Sequence, residues 1–453
     1  MKKKLSALAA LWLSLPAMAT DRLVPSQYPT IQAAVNAAQS GDNIVVSAGL
    51  HAAQIDISGK SITLIGAGAD RTFVDGQSST RLLSISNVPS PGVTIRDLAF
   101  RNGMSGDDGA GIRILNSRAK LTRCTIVDCV ASRDVGCAWC NPVSLFGGGM
   151  YIGSGSHVTI QDSEISRNQV KQSFFAWGAG GEIRGAGIYA VGALVELERV
   201  QCKQNQLVGN DYPPPANNND IRGFGAGIHA RDNATLTLLD CVIEANEILG
   251  DRCDAGHGAG LYCLSSTLSL NRTAILANVS RSPHGLNEGA GVWFSGGSGD
   301  IVDSRLWLNF ASSGAAAEAG SGVFAGSGGL SLRNSDLCGS GTQPISGPWS
   351  DLGNVTLSNF CIDCNANGVL DAIDVASGDS TDVNGSAVPD ECECLGDILP
   401  DGRIDGADLG AVLAYWGPVT GSTWSRACDI DNDGIVSGSD LGLMLSNWGT
   451  CPH

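Results

Sequence analysis

Short stretches of strict apolar and polar alternation recur along the chain to about residue 360, as in Thr235-Leu236-Thr237-Leu238. A period of two sends successive side chains to opposite faces, so these stretches predict strands rather than helices. One early segment departs from this, because Ile31, Ala34, Val35 and Ala38 fall on one helical face. A tetrad Gly-small-Gly-aliphatic begins at Gly109, Gly147, Gly185, Gly225, Gly258, Gly289 and Gly320. In five copies the following strands lead to an asparagine: Asn168, Asn205, Asn246, Asn278 and Asn309. From first glycine to asparagine the distance is 20 or 21 residues, whereas from asparagine to the next glycine it runs from 11 to 20.

One part of each repeat is therefore constant and the other accepts insertions. A solenoid behaves this way, since each coil stacks only on its neighbours and insertions collect on one edge, often the binding edge. Strand-turn-strand coils without a helical pattern imply parallel strands around a core. Ile243, Ile275 and Leu306 would stack inward, the glycines would supply backbone angles other residues avoid, and the asparagines would form a ladder. With these features the chain resembles the right-handed parallel β-helix (pectin-lyase-like) superfamily over residues 24 to 360. Val24-Pro25-Ser26-Gln27-Tyr28-Pro29-Thr30-Ile31-Gln32-Ala33-Ala34-Val35 looks like the cap at the start of such proteins, with Ile44-Val45-Val46 as the first strand.

The resemblance implies a fold and leaves activity open, because the superfamily includes lyases, hydrolases, epimerases and non-catalytic members. Gly106-Asp107-Asp108-Gly109 and Gly256-His257-Gly258 echo two pieces of its galacturonan hydrolases, but the Asn-Thr-Asp and Arg-Ile-Lys pieces are absent. Four coils, at about 4.8 Å each, would hold residues 107 and 257 too far apart for paired-carboxylate chemistry. Both read as turns. The lyase pattern, a basic residue beside calcium-binding acids, is not concentrated in any segment. No complete catalytic signature is present, and an enzyme of this kind would be a polysaccharide lyase or glycoside hydrolase. The variable edge, residues 130–146, 169–184, 206–224, 247–257 and 279–288, is the candidate binding surface. There Trp139, Trp177 and Tyr212 would offer rings to a sugar, with Arg222, Arg252, Asp254 and His257 beside them.

The tail carries a sharper repeat. Asp397, Asp401, Gly402, Arg403, Asp405 and Asp408 align at an offset of 32 with Asp429, Asp433, Gly434, Ile435, Ser437 and Asp440. Each set is a 12-residue loop with oxygen side chains at positions 1, 5 and 12, glycine at 6, and a backbone carbonyl from Arg403 or Ile435 at 7, a pattern suited to calcium. Position 3 is Asp431 in the second loop and Leu399 in the first. A helical stripe follows each loop: Leu409, Leu413 and Trp416, then Leu441, Leu445 and Trp448. Residues 394–453 thus resemble a type I dockerin, a small all-α EF-hand-like module, which implies two Ca²⁺ loops and a cohesin-like or cell-envelope partner. Gly406-Ala407 and Gly438-Ser439 stand where dockerins present hydroxyls to a cohesin. Residues 361–393 resemble a thrombospondin type 3 calcium connector, which implies Asp363, Asn365, Asn367, Val369, Asp371 and Asp374 as ligands.

Composition adds compartment and charge. Lys2, Lys3 and Lys4, the apolar run Leu5 to Leu15 and Ala17-Met18-Ala19 read as a secretory signal over residues 1–19, and no later run is long enough for a transmembrane segment. Export makes disulfides the default for the fifteen cysteines. The net charge of −17 argues against a nucleic-acid partner. Residues 361–453 hold 16 acidic and two basic residues, so the charge is concentrated where metal ligands are expected. The sequence predicts a secreted or cell-surface, mainly β protein: a solenoid over residues 20–360, a calcium connector and a dockerin-like tail. It would bind a polysaccharide or cell-surface glycan, with an enzyme and a structural adhesin component as the alternatives.

Overall fold

The computed structural model describes residues 19–52, 54–135, 144–174, 181–211, 221–249, 253–281, 286–313, 316–317, 320–340 and 344–358 of the solenoid. In the C-terminal part it describes 361, 364, 371, 374–375, 378, 380–381, 389–392, 394–399, 402–420 and 423–451. Side chains at 134–135, 173–174, 210–211, 253–254, 313, 316–317, 391 and 423 fall outside the description. The chain divides into two compact units, Met1–Asn359 and Phe360–His453.

The alternating stretches are strands, and nearly all of those in the first unit pair in parallel. A typical coil runs Ile228–Arg231, Thr235–Leu239, Val242–Glu244 and Glu247–Leu249. The first two strands of each coil join a 20-stranded sheet, the third an 11-stranded sheet and the fourth an 8-stranded sheet. Ile243, Ile275 and Leu306 stack fully buried, as the pattern required. Helix Ile31–Ala37 buries Ile31, Ala34 and Val35 over the first coils. Lys60 donates to Val35 O and Ala38 O at its C-terminal end, which places Gly59-Lys60-Ser61 in a helix-capping turn.

Two expectations change. The first strand is Asp21–Val24, ahead of the cap helix, and it pairs in parallel with Asn43–Val46. The variable edge is also more than loops. Its segments leave the core as strands of the 8-stranded sheet and return as a 5-stranded sheet: Leu145–Phe146, Gly181–Arg184, Ile221–Phe224, Cys253–His257 and Leu286–Glu288. Glycine and charged residues break the alternation there, so the pattern hid these strands.

The asparagine ladder fixes coil upon coil. Asn246 Oδ1 accepts from Asn205 N at 3.0 Å and from Asn205 Nδ2 at 2.9 Å, while its own Nδ2 donates to Cys202 O and to Asn278 Oδ1. The same bonds recur at Asn168, Asn205 and Asn278. The glycine at the tetrad's third position touches this ladder: a Cβ on Gly227 would stand 2.4 Å from Gly260 O and 3.0 Å from Asn246 Nδ2. The first glycine is needed for another reason, since Gly225 and Gly258 have φ of 65° and 62°.

At a second, outer turn the left-handed position is taken by charged residues that alternate in sign: Asp97, Arg123, Asp162, Arg199, Asp240, Arg272 and Asp303. They bond in pairs through both guanidinium branches, Arg123 to Asp97, Arg199 to Asp162 and Arg272 to Asp240. Bridges between described cysteines also depart from expectation. Cys124, Cys129, Cys202, Cys241 and Cys263 are free and buried in the solenoid, where they serve as small apolar core residues. The described disulfides begin only at Cys338 and Cys361.

Asn246→Leu should destabilise the solenoid by about 2–4 kcal/mol, because buried partners on two neighbouring coils lose their bonds. Glu244→Gln, at an exposed strand position, should change stability by less than about 0.5 kcal/mol; urea unfolding midpoints of both variants test the contrast.

Candidate functional site

The side chain after each tetrad points outward, and parallel register stacks these positions into one row: Arg113, Tyr151, Tyr189, His229, Tyr262, Trp293 and Phe324. From Tyr151 to Phe324 the ring centroids lie 5.3, 5.0, 4.7, 4.4 and 5.7 Å apart, all stacked. A second row, Phe146, Arg184, Phe224, His257 and Glu288, runs along the 5-stranded sheet. The rows meet at a corner, where Phe146 stacks on Tyr189 and Phe224 lies 5.1 Å from Tyr262. The Arg184 guanidinium lies 5.3 Å from the rings of both Phe146 and Phe224 and is paired with Glu182.

The strand spacing forces these rings face to face, so their faces are spent on each other. Tyr189, His229 and Tyr262 are only 3%, 1% and 7% exposed, and the row acts as a stiff wall rather than a sugar platform. His229 Nδ1 lies 3.2 Å from Phe224 O; a carbonyl only accepts, so Nδ1 carries the proton and Nε2 is a buried acceptor without a protein partner. Burial and the neighbouring Arg184 hold this imidazole neutral, its pKa well below the ordinary value. Burial, with Arg222 adding to it, pushes the His257 imidazole down to about 4.

Of the sequence-based sugar contacts, Trp139, Trp177, Tyr212 and Arg252 lie outside the described residues, as does the Asp254 side chain. Arg222 and His257 come together on adjacent strands of the 5-stranded sheet, Arg222 exposed and His257 partly buried. Gly109 and Gly258 are separated by four coil-to-coil steps, seen in Gly109 N–Phe146 O, Gly147 N–Arg184 O, Gly185 N–Phe224 O and Gly225 N–His257 O bonds. Asp107, Asp108 and His257 therefore do not form one hydrolase-like centre.

A polar cavity of about 360 Å³ opens at the other end of the solenoid face, lined by Gln54, Asp56, Arg81, Ser84, Ser105 and Asp107 among others. Arg81 is fixed from behind: Nε donates to Gly109 O at 2.8 Å, and Nη2 to Asp108 O at 2.9 Å and Ser105 Oγ at 3.2 Å. Among the described residues its second terminal nitrogen, Nη1, has no hydrogen-bond partner, and the Asp56 carboxylate lines the same cavity. Asp108 Oδ1 accepts from Phe146 N at 2.9 Å. Burial raises its carboxyl pKa, against the opposing pull of that bond and of Arg113.

In the second unit the two aspartate loops have the same backbone bonds. Asp429 Oδ2 accepts from Gly434 N, as Asp397 Oδ2 does from Gly402 N. Asp440 accepts from Asp431 N and Ser437 N, as Asp408 does from Leu399 N and Asp405 N, and Asp440 also accepts from Ile430 N. Arg403–Ile404 pairs with Gly449–Thr450, and Gly417–Pro418 with Ile435–Val436, so each loop is tied to the chain leaving the other half's helix. The helices are Gly406–Ala414 and Gly438–Ser446, with a short helix Thr423–Ala427 between them. Their buried residues correct the expected stripes: Val412 and Met444 enter the core, while Leu413, Trp416, Leu445 and Trp448 are exposed. Both tryptophans lie beyond the helix ends, where helical spacing no longer applies.

Ligand-bearing side chains of Asp429, Asp431 and Asp433 lie within 4.8 Å of one another. Asp429 Oδ1 is buried without a partner among the described residues, and burial together with Asp440, Asp433 and Asp431 raises the Asp429 pKa. Such clustered acids, with no ion-pair partner among the described residues, suit a hard cation that takes oxygen ligands. Two other groupings fail this test: Cys394, Asp397 and Cys451, and Cys364, Asp371 and Cys392. Their sulfurs are spent in the Cys394–Cys451 and Cys364–Cys392 disulfides. Asp371 and Asp374 are buried; Asp363, Asn365, Asn367, Val369 and Asp401 lie outside the described residues.

The right handed beta helix region family matches residues 63–337. The chain belongs to that family. No curated protein matches this β-helix chain in sequence. Among solved structures it is similar to Escherichia coli ybhc (14% identity, 52% of this chain and 75% of that one, TM-score 0.24). Geobacillus virus E2 ORF18 shares 13% identity over 73% of this β-helix chain and 57% of its own, with TM-score 0.30. The catalytic domain of a GH87 alpha-1,3-glucanase, solved with tetrasaccharides, shares 13% over 77% and 70%, with TM-score 0.23. At such overlaps none of them bears on what this β-helix binds. Among the described residues no helix is long and apolar enough to cross a membrane.

The Asp108 assignment gives a pH test. A carboxyl whose folded pKa is raised contributes stability below its unfolded value of about 4 and loses it as pH rises through the folded value. Asp108→Asn keeps an acceptor for Phe146 N, so the variant should be at least as stable as the parent at pH 7, with the advantage vanishing below pH of about 4. Urea midpoints across pH check the sign.

Proposed function

We propose that this is a secreted, calcium-binding β-helix protein whose solenoid binds a polysaccharide or cell-surface glycan and whose dockerin-like module attaches it to a partner. The observation that carries the reading is the buried, unpartnered Asp429 Oδ1 among Asp431, Asp433 and Asp440. A calcium ion there would take the Asp429, Asp431 and Asp433 carboxylates, the Ile435 carbonyl and Asp440. The first loop carries a shorter set, Asp397, Asp401, the Arg403 carbonyl, Asp405 and Asp408, with Leu399 where the second loop has Asp431, and the connector would add its own set.

Attachment is supported by Leu413, Tyr415, Trp416, Trp424, Leu445 and Trp448, which are all exposed on one small module. Exposed apolar surface of this density marks an interaction site, and its duplication suits a cohesin-like or cell-envelope protein. Glycan binding is supported by the Arg81 cavity, whose fixed donors and carboxylate acceptors match vicinal hydroxyls. The basic-then-apolar start of the chain supports export. A second reading, glycoside hydrolysis, is favoured by one observation: Asp108, its carboxyl raised by burial, sits beside Asp107 and within electrostatic reach of Arg81.

A glycan panel assayed for both retention and reducing-end release separates the two readings. Retention without release is expected, reduced about tenfold or more by Arg81→Ala, on the scale of one lost charged hydrogen bond. Release abolished by Asp108→Asn would establish the hydrolase instead. Chelator should remove amide-exchange protection from Gly438–Ser446 while leaving the solenoid strands protected, because binding energy of the ion is folding energy in a small domain. Unchanged protection of that helix would refute the calcium assignment.

A further inference from the structure

The two halves of the tail repeat each other at an offset of 32, and their differences concentrate around the first aspartate of each loop. In the second half Asp429 is buried, its Oδ1 unpartnered, with Asp431 and Asp433 converging on it. In the first half the third position is Leu399, exposed and without a ligand atom, although its N–H is bound to Asp408 Oδ1 as Asp431 N–H is to Asp440 Oδ1. What lies against Asp397 is a disulfide: Cys451 Sγ is 3.6 Å from Asp397 Oδ2.

That bridge brackets the first loop. Cys394 stands three residues before Asp397, and Cys451 N donates to Gly402 O at 3.1 Å, immediately after the Arg403–Ile404 to Gly449–Thr450 pairing. The second half keeps the backbone bond, Val419 N to Gly434 O at 3.0 Å, but has Val419 and Arg426 where the first half has Cys451 and Cys394. The hydrogen-bond frame is therefore common to both halves, and only the closing element differs.

Resting on the calcium reading above, we infer that the module divides its two closures between two chemistries: one calcium ion in the second loop, and the Cys394–Cys451 disulfide in place of an ion in the first. A loop deprived of its third-position carboxylate lacks one of the six to eight oxygens calcium requires. A covalent closure restricts the same backbone in the unfolded state without a ligand. The tail would then be insensitive in one half to chelation and in the other to reduction.

Native mass spectrometry of the full mature chain counts bound calcium. Asp429→Asn should lower the number by one ion, and Asp397→Asn should leave it unchanged, each variant keeping its acceptor for the loop glycine N–H. Loss of an ion in Asp397→Asn overturns the division while leaving the calcium reading standing; a parent chain that binds none overturns both. Amide exchange supplies the second measurement. With calcium present, Cys394→Ser/Cys451→Ser should speed exchange at Leu399 and Gly402 by about tenfold or more and spare Ile430 and Gly434, while chelator should do the reverse. Equal loss of protection in both loops on chelation, with the bridge intact, overturns the inference.

Discussion

The contact between an asparagine amide and a glycine without a side chain governs the solenoid. Each ladder asparagine before the last, Asn309, spends its amide on the coils before and after it, and the glycine at the tetrad's third position in the same coil lies where a Cβ would strike that amide. This couples two positions 18 or 19 residues apart in one coil. The stretch between them cannot change length without pulling the glycine off the amide, so insertions are confined to the other side of the coil. That side carries the 8- and 5-stranded sheets and with them the corner of stacked rings. A buried polar ladder is thus what leaves one edge free to vary.

Much of this was legible because side-chain period and repeat spacing are direct consequences of backbone geometry. Ile243, Ile275 and Leu306 could be placed in the core from alternation alone, and the ladder from its spacing. The ring row was also present in the sequence, as the residue after each tetrad: Tyr151, Tyr189, His229, Tyr262, Trp293 and Phe324. It was missed because attention to inserted segments favours aromatics in loops, and because stacking is a relation between coils that no single segment displays. Arg81 escaped for a similar reason, since its three anchoring acceptors belong to residues 24 to 28 positions later. In the tail, spacing identified the loops but not which face each helix buries. That depends on the reciprocal strand pairings, which put Val412 and Met444 inside and the tryptophans outside.

Charge is used differently in the two units. Along the solenoid, acids are met by arginines on the next coil, and burial rather than repulsion sets the shifted groups such as Asp108 and His257. In the tail, acids face acids, and the Asp429 carboxylate is disfavoured first by burial and then by its acidic neighbours. The solenoid frame satisfies its charges internally, whereas the tail leaves a carboxylate oxygen buried and unmatched among the described residues.

The alternation of Asp97, Arg123, Asp162, Arg199, Asp240, Arg272 and Asp303 along one turn imposes a parity rule on the solenoid's growth. Duplicating or deleting two coils preserves the order of signs. Adding or removing a single coil brings aspartate onto aspartate or arginine onto arginine at one strand spacing, a repulsion of about 1 kcal/mol even in water, and leaves one carboxylate or guanidinium without its partner. Lineages of this protein that differ in length should therefore differ by even numbers of coils within this stretch, or else carry a neutral residue at the seam, as Asn334 does where the charged series ends.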